Sequence, residues 1–260
     1  MQVGRISIGL AGALDHRIIR ALAPRMEQLG FLGLWLNDTA NGDSLAGLAV
    51  AAAETTTLRL GTGVIPLDRR PAGAIGDALR RLSLPDDRLT VGIGSGSPTH
   101  GLGRVSGGIS ALRELTDAPI LVGGLGPKMR RLGAKRADGV VLNWLTPSAA
   151  RDAAADLHRD APAGHPVRSV LYARTIVDAA ARAALAAEAA RYGKIPSYAA
   201  NLSRIGATAL ATTIDGSEPG TLAERASEYT NSVDELVLRV IVSESSLDAY
   251  VRFLERVVAL

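Results

Sequence analysis

The chain contains no cysteine, which removes disulfides, thiolate metal sites and a cysteine nucleophile from consideration. Lysine is scarce as well: of 29 basic residues, only Lys128, Lys135 and Lys194 are lysines. The arginines are scattered, aromatic residues make up 3%, and the net charge is +3 from 29 basic and 26 acidic groups. A nucleic-acid surface requires clustered cations with aromatic platforms, so no nucleic-acid partner is expected. His16, His100, His158 and His165 are scattered along the chain and suggest no metal site. Charged residues interrupt every apolar run before it is long enough to cross a bilayer, so no membrane contact is expected. The opening "MQVGRISIGLAG" lacks the regions of an export signal. The cytoplasm is the expected compartment, and the sequons at Asn37 and Asn201 read as chance matches.

What the chain has in abundance is alternation. Apolar or β-rich runs occupy 5–11, 32–37, 58–65, 88–94, 119–124, 139–144, 168–177 and 235–242. Helical patterns separate them at 14–29, 44–54, 71–82, 127–136, 147–159, 179–192 and 245–259. Near-continuous apolar strands are what a parallel sheet covered on both faces requires. Eight such strands in 260 residues predict an α/β fold: a (β/α)8 TIM barrel forming a single domain, with strand 5–11 pairing with strand 235–242. An open doubly wound sheet is the competing reading, and it lacks a fingerprint glycine loop after its first strand. Gly30 marks the end of the first helix, "GDS" at 42–44 supplies caps for the second, and Thr146 with Pro147 opens the sixth strand-following helix. Residues 95–118 form a short, glycine-rich link with room for a helix at about 109–116. The link before the last strand is long, with extra helical segments around 196–210 and 219–231.

Active sites of such barrels lie at the C-terminal ends of the strands. That rule selects Asn37 and Asp38, Gly61 to Val64 with Gly63 between them, Gly94, Ser95 and Gly96, the run Gly123, Gly124, Leu125, Gly126, Pro127 and Lys128, Asn143 and Trp144, and Tyr172. Glycine is over-represented in this set, and bare backbone suits a flat, phosphorylated ligand. In "PILVGGLGPKMRRLG" (119–133) a strand ends, three glycines turn the chain, and Pro127 opens a helix. The first N–H groups of a helix have no internal acceptor, and its dipole and Lys128 favour an anion there. The bland alternative is a tight turn whose glycines merely permit unusual backbone angles.

The segment "PILVGGLGPKMRRLGAKRADGVVLNWLTP" (119–147) resembles the phosphate-binding region of the luciferase-like oxidoreductases, which use FMN or the deazaflavin coenzyme F-420. The likeness extends to "MEQLGFLGLWLND" (26–38), "AAAETTTLRLGTGVIPLDRRP" (51–71), "DDRLTVGIGSG" (86–96) and, less specifically, "AAEAARYGKIPSYAANLSRIG" (186–206). The resemblance implies that Gly123 to Lys128 hold the cofactor phosphate and that Gly61 to Val64 back the ring across a bulge with a cis Gly63–Val64 bond. It also implies that Gly94 and Gly96 flank the ring and that Asp38 meets its polar edge. The "GPK" and "DGVVLNW" phrasing leans toward coenzyme F-420, with FMN the alternative. A small-molecule substrate and a homodimer are implied in the same way. Three departures stand out: Thr39 and Arg70 replace histidines common in relatives, and the usual long insertion after strand four is largely missing.

Asp38 and His100 are the two candidates for proton transfer. Asp38 reads equally well as a turn acid before "TANGDS", and His100 reads as an exposed loop residue. Trp144 is a better pocket-wall candidate than Trp35. The expected activity is hydride transfer between coenzyme F-420 and a small organic substrate. The alternatives are an FMN monooxygenase, or a barrel that binds the cofactor without turnover.

Overall fold

The computed structural model describes residues 5–97 and 99–259. In chain order its elements are β1 (Ile6–Ala11), α1 (His16–Gln28), β2 (Gly33–Asn37), α2 (Ser44–Ala53), β3 (Arg59–Thr62), β4 (Ile65–Pro66), α3 (Ala72–Arg81), β5 (Leu89–Gly94), α4 (Gly101–Arg113) and β6 (Ile120–Gly123). They continue with α5 (Pro127–Arg136), β7 (Gly139–Asn143), α6 (Pro147–Asp160), β8 (Arg168–Ile176), α7 (Arg182–Gly193), α8 (Pro196–Ile205), β9 (Ile214–Asp215), α9 (Thr221–Thr230), β10 (Glu235–Val240) and α10 (Leu247–Val258). The strands pair in the order β10-β1-β2-β3-β5-β6-β7-β8, all parallel, and β8 pairs back onto β10. The ring is closed, so the expected (β/α)8 barrel is the fold and the open sheet is not. Ile6 lies opposite Leu236, joining the first strand to the last as anticipated.

Alternation along the strands divides the core in two. One set of side chains, from Ile6, Ile8, Leu34, Leu36, Val91, Ile93, Val122, Val140 and Leu142 among others, packs outward against the helices. The other fills the barrel with Trp35, Leu121, Val141, Val170, Tyr172 and Val237. The N-terminal end of the barrel is closed by a polar plug. The buried Glu235 carboxylate accepts hydrogen bonds from Ser7 Oγ (2.6 Å) and Trp35 Nε1 (2.6 Å), with Arg168 Nη1 3.8 Å away. Polar groups at that depth persist only when partnered, and here each one is.

The caps read from the sequence are present. Gly30 has φ +79°; its N–H reaches the Glu27 carbonyl and the Phe31 N–H reaches the Met26 carbonyl, the paired bonds of a Schellman end. Asp43 caps α2 through the N–H groups of Leu45 and Ala46, and Thr146 caps α6 with Pro147 at its first position.

Two expectations need correction. The helix placed at about 109–116 runs from Gly101 to Arg113. Its glycines do not break it, and Gly108 is there because a Cβ would come 2.5 Å from Leu67. The run 58–65 is two strands rather than one. Gly61 pairs with Thr90 and Ile65 with Ile93, four residues against three, so one residue bulges out between β3 and β4. Thr62 Oγ1 bridges the gap, accepting from the Gly92 N–H (2.8 Å) and donating to the Gly92 carbonyl (2.9 Å). The Gly63–Val64 bond within the bulge is cis. The link from β5 to β6 is short, while the one from β8 to β10 carries α7, α8, β9 and α9.

Candidate active site

The C-terminal ends of the strands surround a cavity of about 810 Å³. Its floor is built on the β3–β4 bulge. A Cβ on Gly94 would come 2.8 Å from Val64 Cγ2, and one on Gly123 would come 3.3 Å from it. Two bare positions therefore give Val64 its seat, and Val64 in turn presents an apolar surface to the cavity. The Gly63 carbonyl accepts a hydrogen bond from Asn37 Nδ2, while Asn37 Oδ1 accepts from Arg239 Nε at 3.0 Å.

One wall is the turn into α5. Leu125, Gly126, Pro127, Lys128 and Met129 line the cavity. The Gly124 N–H is taken by the Val141 carbonyl at 2.9 Å, and the Gly126 carbonyl accepts from Met129 and Arg130. The N–H groups of Leu125, Gly126 and Lys128 have no acceptor among the described residues. They form a donor cluster at a helix N-terminus, with no side-chain cap on Gly126 and open space where its Cβ would be.

The opposite wall comes from the long β8–β10 link. Glu188, Arg191 and Tyr192 of α7 and Ser197, Tyr198, Ala200 and Arg204 of α8 face the cavity. The rings of Tyr192 and Tyr198 meet edge to face at 4.9 Å, and Trp144 packs behind Tyr192 at 4.9 Å. Arg174, 3% exposed, stacks on Trp144 at 4.1 Å, donates from Nε to Glu188 at 3.0 Å and also to Asn143 Oδ1. Burial pushes the Tyr198 hydroxyl up from its usual range, and Tyr192 adds to the effect.

The residues singled out from sequence separate into groups. Gly63, Val64, Gly94, Ser95, Gly96, Gly123, Leu125, Gly126, Pro127, Lys128, Asn143 and Asp38 all line the cavity. Gly61 does not, because it is bare to accommodate the indole of Trp35, whose ring a Cβ would meet at 2.4 Å inside the barrel. Gly124 does not either; a Cβ there would meet Arg130 Cγ at 2.9 Å and Val140 at 3.3 Å. Gly96 has φ +66° and turns the chain around Asp68. The two proton-transfer candidates do not meet. Asp38 has a side chain only 4% exposed; it is paired with Arg69, lies 3.7 Å from Arg70 and accepts from Ser44 N (3.2 Å) and Ser44 Oγ (2.9 Å). His100 is exposed at the start of α4 with φ +55° and is not part of the cavity lining. Trp144 stands behind the wall, and Trp35 belongs to the barrel interior.

Sequence reasoning missed Arg174, Arg239, Glu188, Tyr192 and Tyr198. A signal for the first two was present. In "RSVLYARTIV" and "ELVLRVIV" each arginine interrupts an apolar strand, and Arg174 shares the parity of Tyr172, so both point to one face.

The model of the luciferase-like monooxygenase family matches residues 5–117 and 108–245. No curated protein sequence matches the chain. Among solved structures, an F-420-dependent secondary alcohol dehydrogenase in complex with an F-420–acetone adduct superposes with a TM-score of 0.74 at 13% identity, covering 99% of both chains. The F-420-dependent tetrahydromethanopterin reductase of Methanopyrus kandleri gives 0.67 at 17% identity, covering 94% of this chain and 96% of that one. A monooxygenase from Streptomyces bottropensis gives 0.74 at 16% identity over 98% of both. Identities this low speak for the shared barrel alone, and membership is carried by the family match across nearly the whole length. The chain belongs to the luciferase-like monooxygenase family, whose members use FMN or coenzyme F-420.

Proposed function

We propose that the protein is an oxidoreductase that transfers hydride between coenzyme F-420 and a small organic substrate, with FMN as the alternative cofactor. The observation that carries this reading is the donor cluster at the start of α5. Three free N–H groups, the Lys128 ammonium and an unfilled Cβ position at Gly126 fit a phosphate held mainly by backbone. From that anchor the cavity extends over Val64, an apolar floor suited to one face of a planar ring, toward the polar groups of Asn37 and Asn143. Arg191, Arg204 and Lys128 line the cavity without a salt-bridge partner among the described residues, which favours the deazaflavin, the more anionic of the two cofactors.

When bound, the cofactor supplies the hydride acceptor or donor. The protein's part is to hold and orient. Backbone donors of the α5 turn fix the phosphate, Val64 and Gly63 bound the ring's position from below, and the Tyr192–Tyr198 wall excludes water from the side of α7 and α8. Asp38, tied to Arg69, Arg70 and Ser44, acts here as a fixed negative charge that orders the loop after β2 rather than as a base.

A second reading, a barrel that holds the cofactor without turnover, draws on the same observation about Asp38 and on the exposed position of His100. The two are separated by mixing protein and reduced F-420 with a panel of aldehydes, ketones and enoates. Recovery of the oxidised deazaflavin absorbance with any of them supports the oxidoreductase. Tight cofactor binding with no recovery across the panel would favour the holding role.

A further inference from the structure

β8 and β10 run side by side at the cavity floor, with Tyr172 opposite Val237 and Arg174 opposite Arg239. Tyr172, Arg174 and Arg239 all line the cavity, and their hydrogen-bonding capacity is unevenly used. Arg174 has a carboxylate partner in Glu188. Arg239 has only neutral partners, Asn37 Oδ1 and the Val240 carbonyl, and no salt bridge among the described residues. Each guanidinium keeps its Nη2 free of any acceptor among the described residues. The Tyr172 hydroxyl, on a residue 2% exposed, has no hydrogen-bond partner among the described residues. Two adjacent strands thus bring two guanidiniums and one unpaired O–H to the same floor against a single carboxylate.

An unpaired hydroxyl at that depth, beside a half-buried guanidinium with no counter-charge, is costly unless something completes the pair. Burial pushes Arg239 below its ordinary value, Glu188 opposes this, and Arg174 pushes it further down. Burial pushes the Tyr172 hydroxyl up, which keeps it a neutral donor throughout the physiological range. What the floor lacks is an acceptor with negative charge and two lone-pair-bearing oxygens. Guanidinium forks match a carboxylate in this respect better than they match a neutral carbonyl.

We propose that Arg239, the free edge of Arg174 and the Tyr172 hydroxyl form a carboxylate seat, and that the substrate of this protein is an organic carboxylate bound there. The seat lies two and three strands round the barrel from the α5 turn, on β8 and β10 counted from β6. Assigning the carboxylate to the substrate rests on the reading that the α5 turn holds the cofactor phosphate. A carboxylate or anionic ring edge of the cofactor itself is the other source of the same chemistry, and the test separates the two.

The probes are acetate, hexanoate and benzoate, each paired with its neutral amide, titrated calorimetrically into wild-type protein alone and into protein saturated with F-420. At least one acid is expected to bind ten-fold or more tighter than its amide, in both forms of the protein. Arg239→Gln is expected to lose at least ten-fold in acid affinity while its F-420 affinity changes less than three-fold. Tyr172→Phe is expected to lose a smaller factor of the acid affinity. Acids and amides binding alike, or no acid binding at all, would overturn the seat. So would acid binding to the protein alone that vanishes once F-420 is present, with F-420 affinity falling ten-fold in Arg239→Gln, since the cofactor would then occupy it. The acid–amide comparison uses only the wild-type chain, so it stands even if a variant fails to fold. Absence of F-420 and FMN binding would overturn the proposed function and leave the acid titrations on the protein alone to decide the seat.

Discussion

The Tyr172 hydroxyl and the Glu27 carboxylate are opposites. The first is buried with no partner among the described residues; the second is at the surface, taking hydrogen bonds from the backbone of Thr56, Thr57 and Leu58 and from the Thr57 hydroxyl. Removing an unpaired hydroxyl loses no hydrogen bond and relieves its desolvation, so Tyr172→Phe should leave the ligand-free protein as stable as wild type or more stable by about 1 kcal/mol in a urea titration. A clear loss of stability would mean the hydroxyl has a structural partner. For Glu27, burial acts to raise the carboxyl, and the hydrogen bonds from Thr57, Leu58 and Thr56 outweigh it and hold it at about 2. The unfolded chain titrates near the ordinary glutamate value of about 4.3. A folded-state value below the unfolded one means the stabilisation is complete above about pH 4.3 and is lost as pH falls toward about 2. Glu27→Gln should therefore be less stable than wild type at neutral pH, modestly because the site is exposed and screened, with the gap in urea midpoint closing below pH 4. A gap independent of pH would assign the effect to packing. At this scale the sequence was only partly legible. Glycines advertise bare backbone but not its purpose, so Gly61 and Gly124 looked like Gly63 and Gly126. The purpose of each depends on which side chain lies across from it, and Trp35 and Arg130 approach from distant stretches of chain.

Elements were far easier to read, because a strand's apolar run and a helix's caps are local. Every barrel strand and most helix ends follow from composition, capping residues and proline placement. The exceptions have physical causes. Glycines suggested that α4 would be short, yet Gly108 leaves the room that Leu67 occupies, where a Cβ would come within 2.5 Å of it; tertiary packing overrides the propensity penalty of roughly 1 kcal/mol per glycine. β9, two residues long, is held by pairing with β8 and has no signature of its own. The α5 turn gives the sharpest expectation at this level. Gly126→Val places a side chain in open space with φ −104°, so stability should be unchanged while cofactor affinity falls at least ten-fold. Lys128→Ala should weaken binding only a few-fold, since the backbone donors remain. Gly124→Val should instead lower the melting temperature, through collision with Arg130 and Val140. Fluorescence titration and thermal unfolding of the three variants check the ranking; a dominant loss at Lys128 would make charge, not backbone geometry, the main term.

Across the whole molecule, the two ends of the barrel do different work. The N-terminal end is locked by Glu235, which ties β10 to β1 and β2 and faces Arg168 of β8. Replacing it with leucine strands the Trp35 N–H and the Ser7 hydroxyl without an acceptor and leaves Arg168, which still donates to Thr90 Oγ1, without its nearby carboxylate. Glu235→Leu is expected to cost about 3 kcal/mol in chemical unfolding while leaving cofactor affinity per folded molecule intact; a neutral result would mean the plug is dispensable. The C-terminal end is open, cationic and walled mainly by α7 and α8, with Ser95, Gly96, Gly101 and Leu102 contributed by the short segment after β5. That redistribution explains how a barrel with a short β5–β6 link still encloses a cavity of about 810 Å³. The central claim is that this cavity holds a phosphorylated deazaflavin or flavin with its phosphate on the α5 turn. The most direct measurement is a fluorescence titration of the purified protein with F-420 and FMN, repeated with inorganic phosphate as competitor. Saturable binding with a Kd on the order of 1 μM, tighter for F-420 than for FMN and weakened by phosphate, is the predicted result. Binding of neither cofactor, or binding that phosphate leaves untouched, would contradict it.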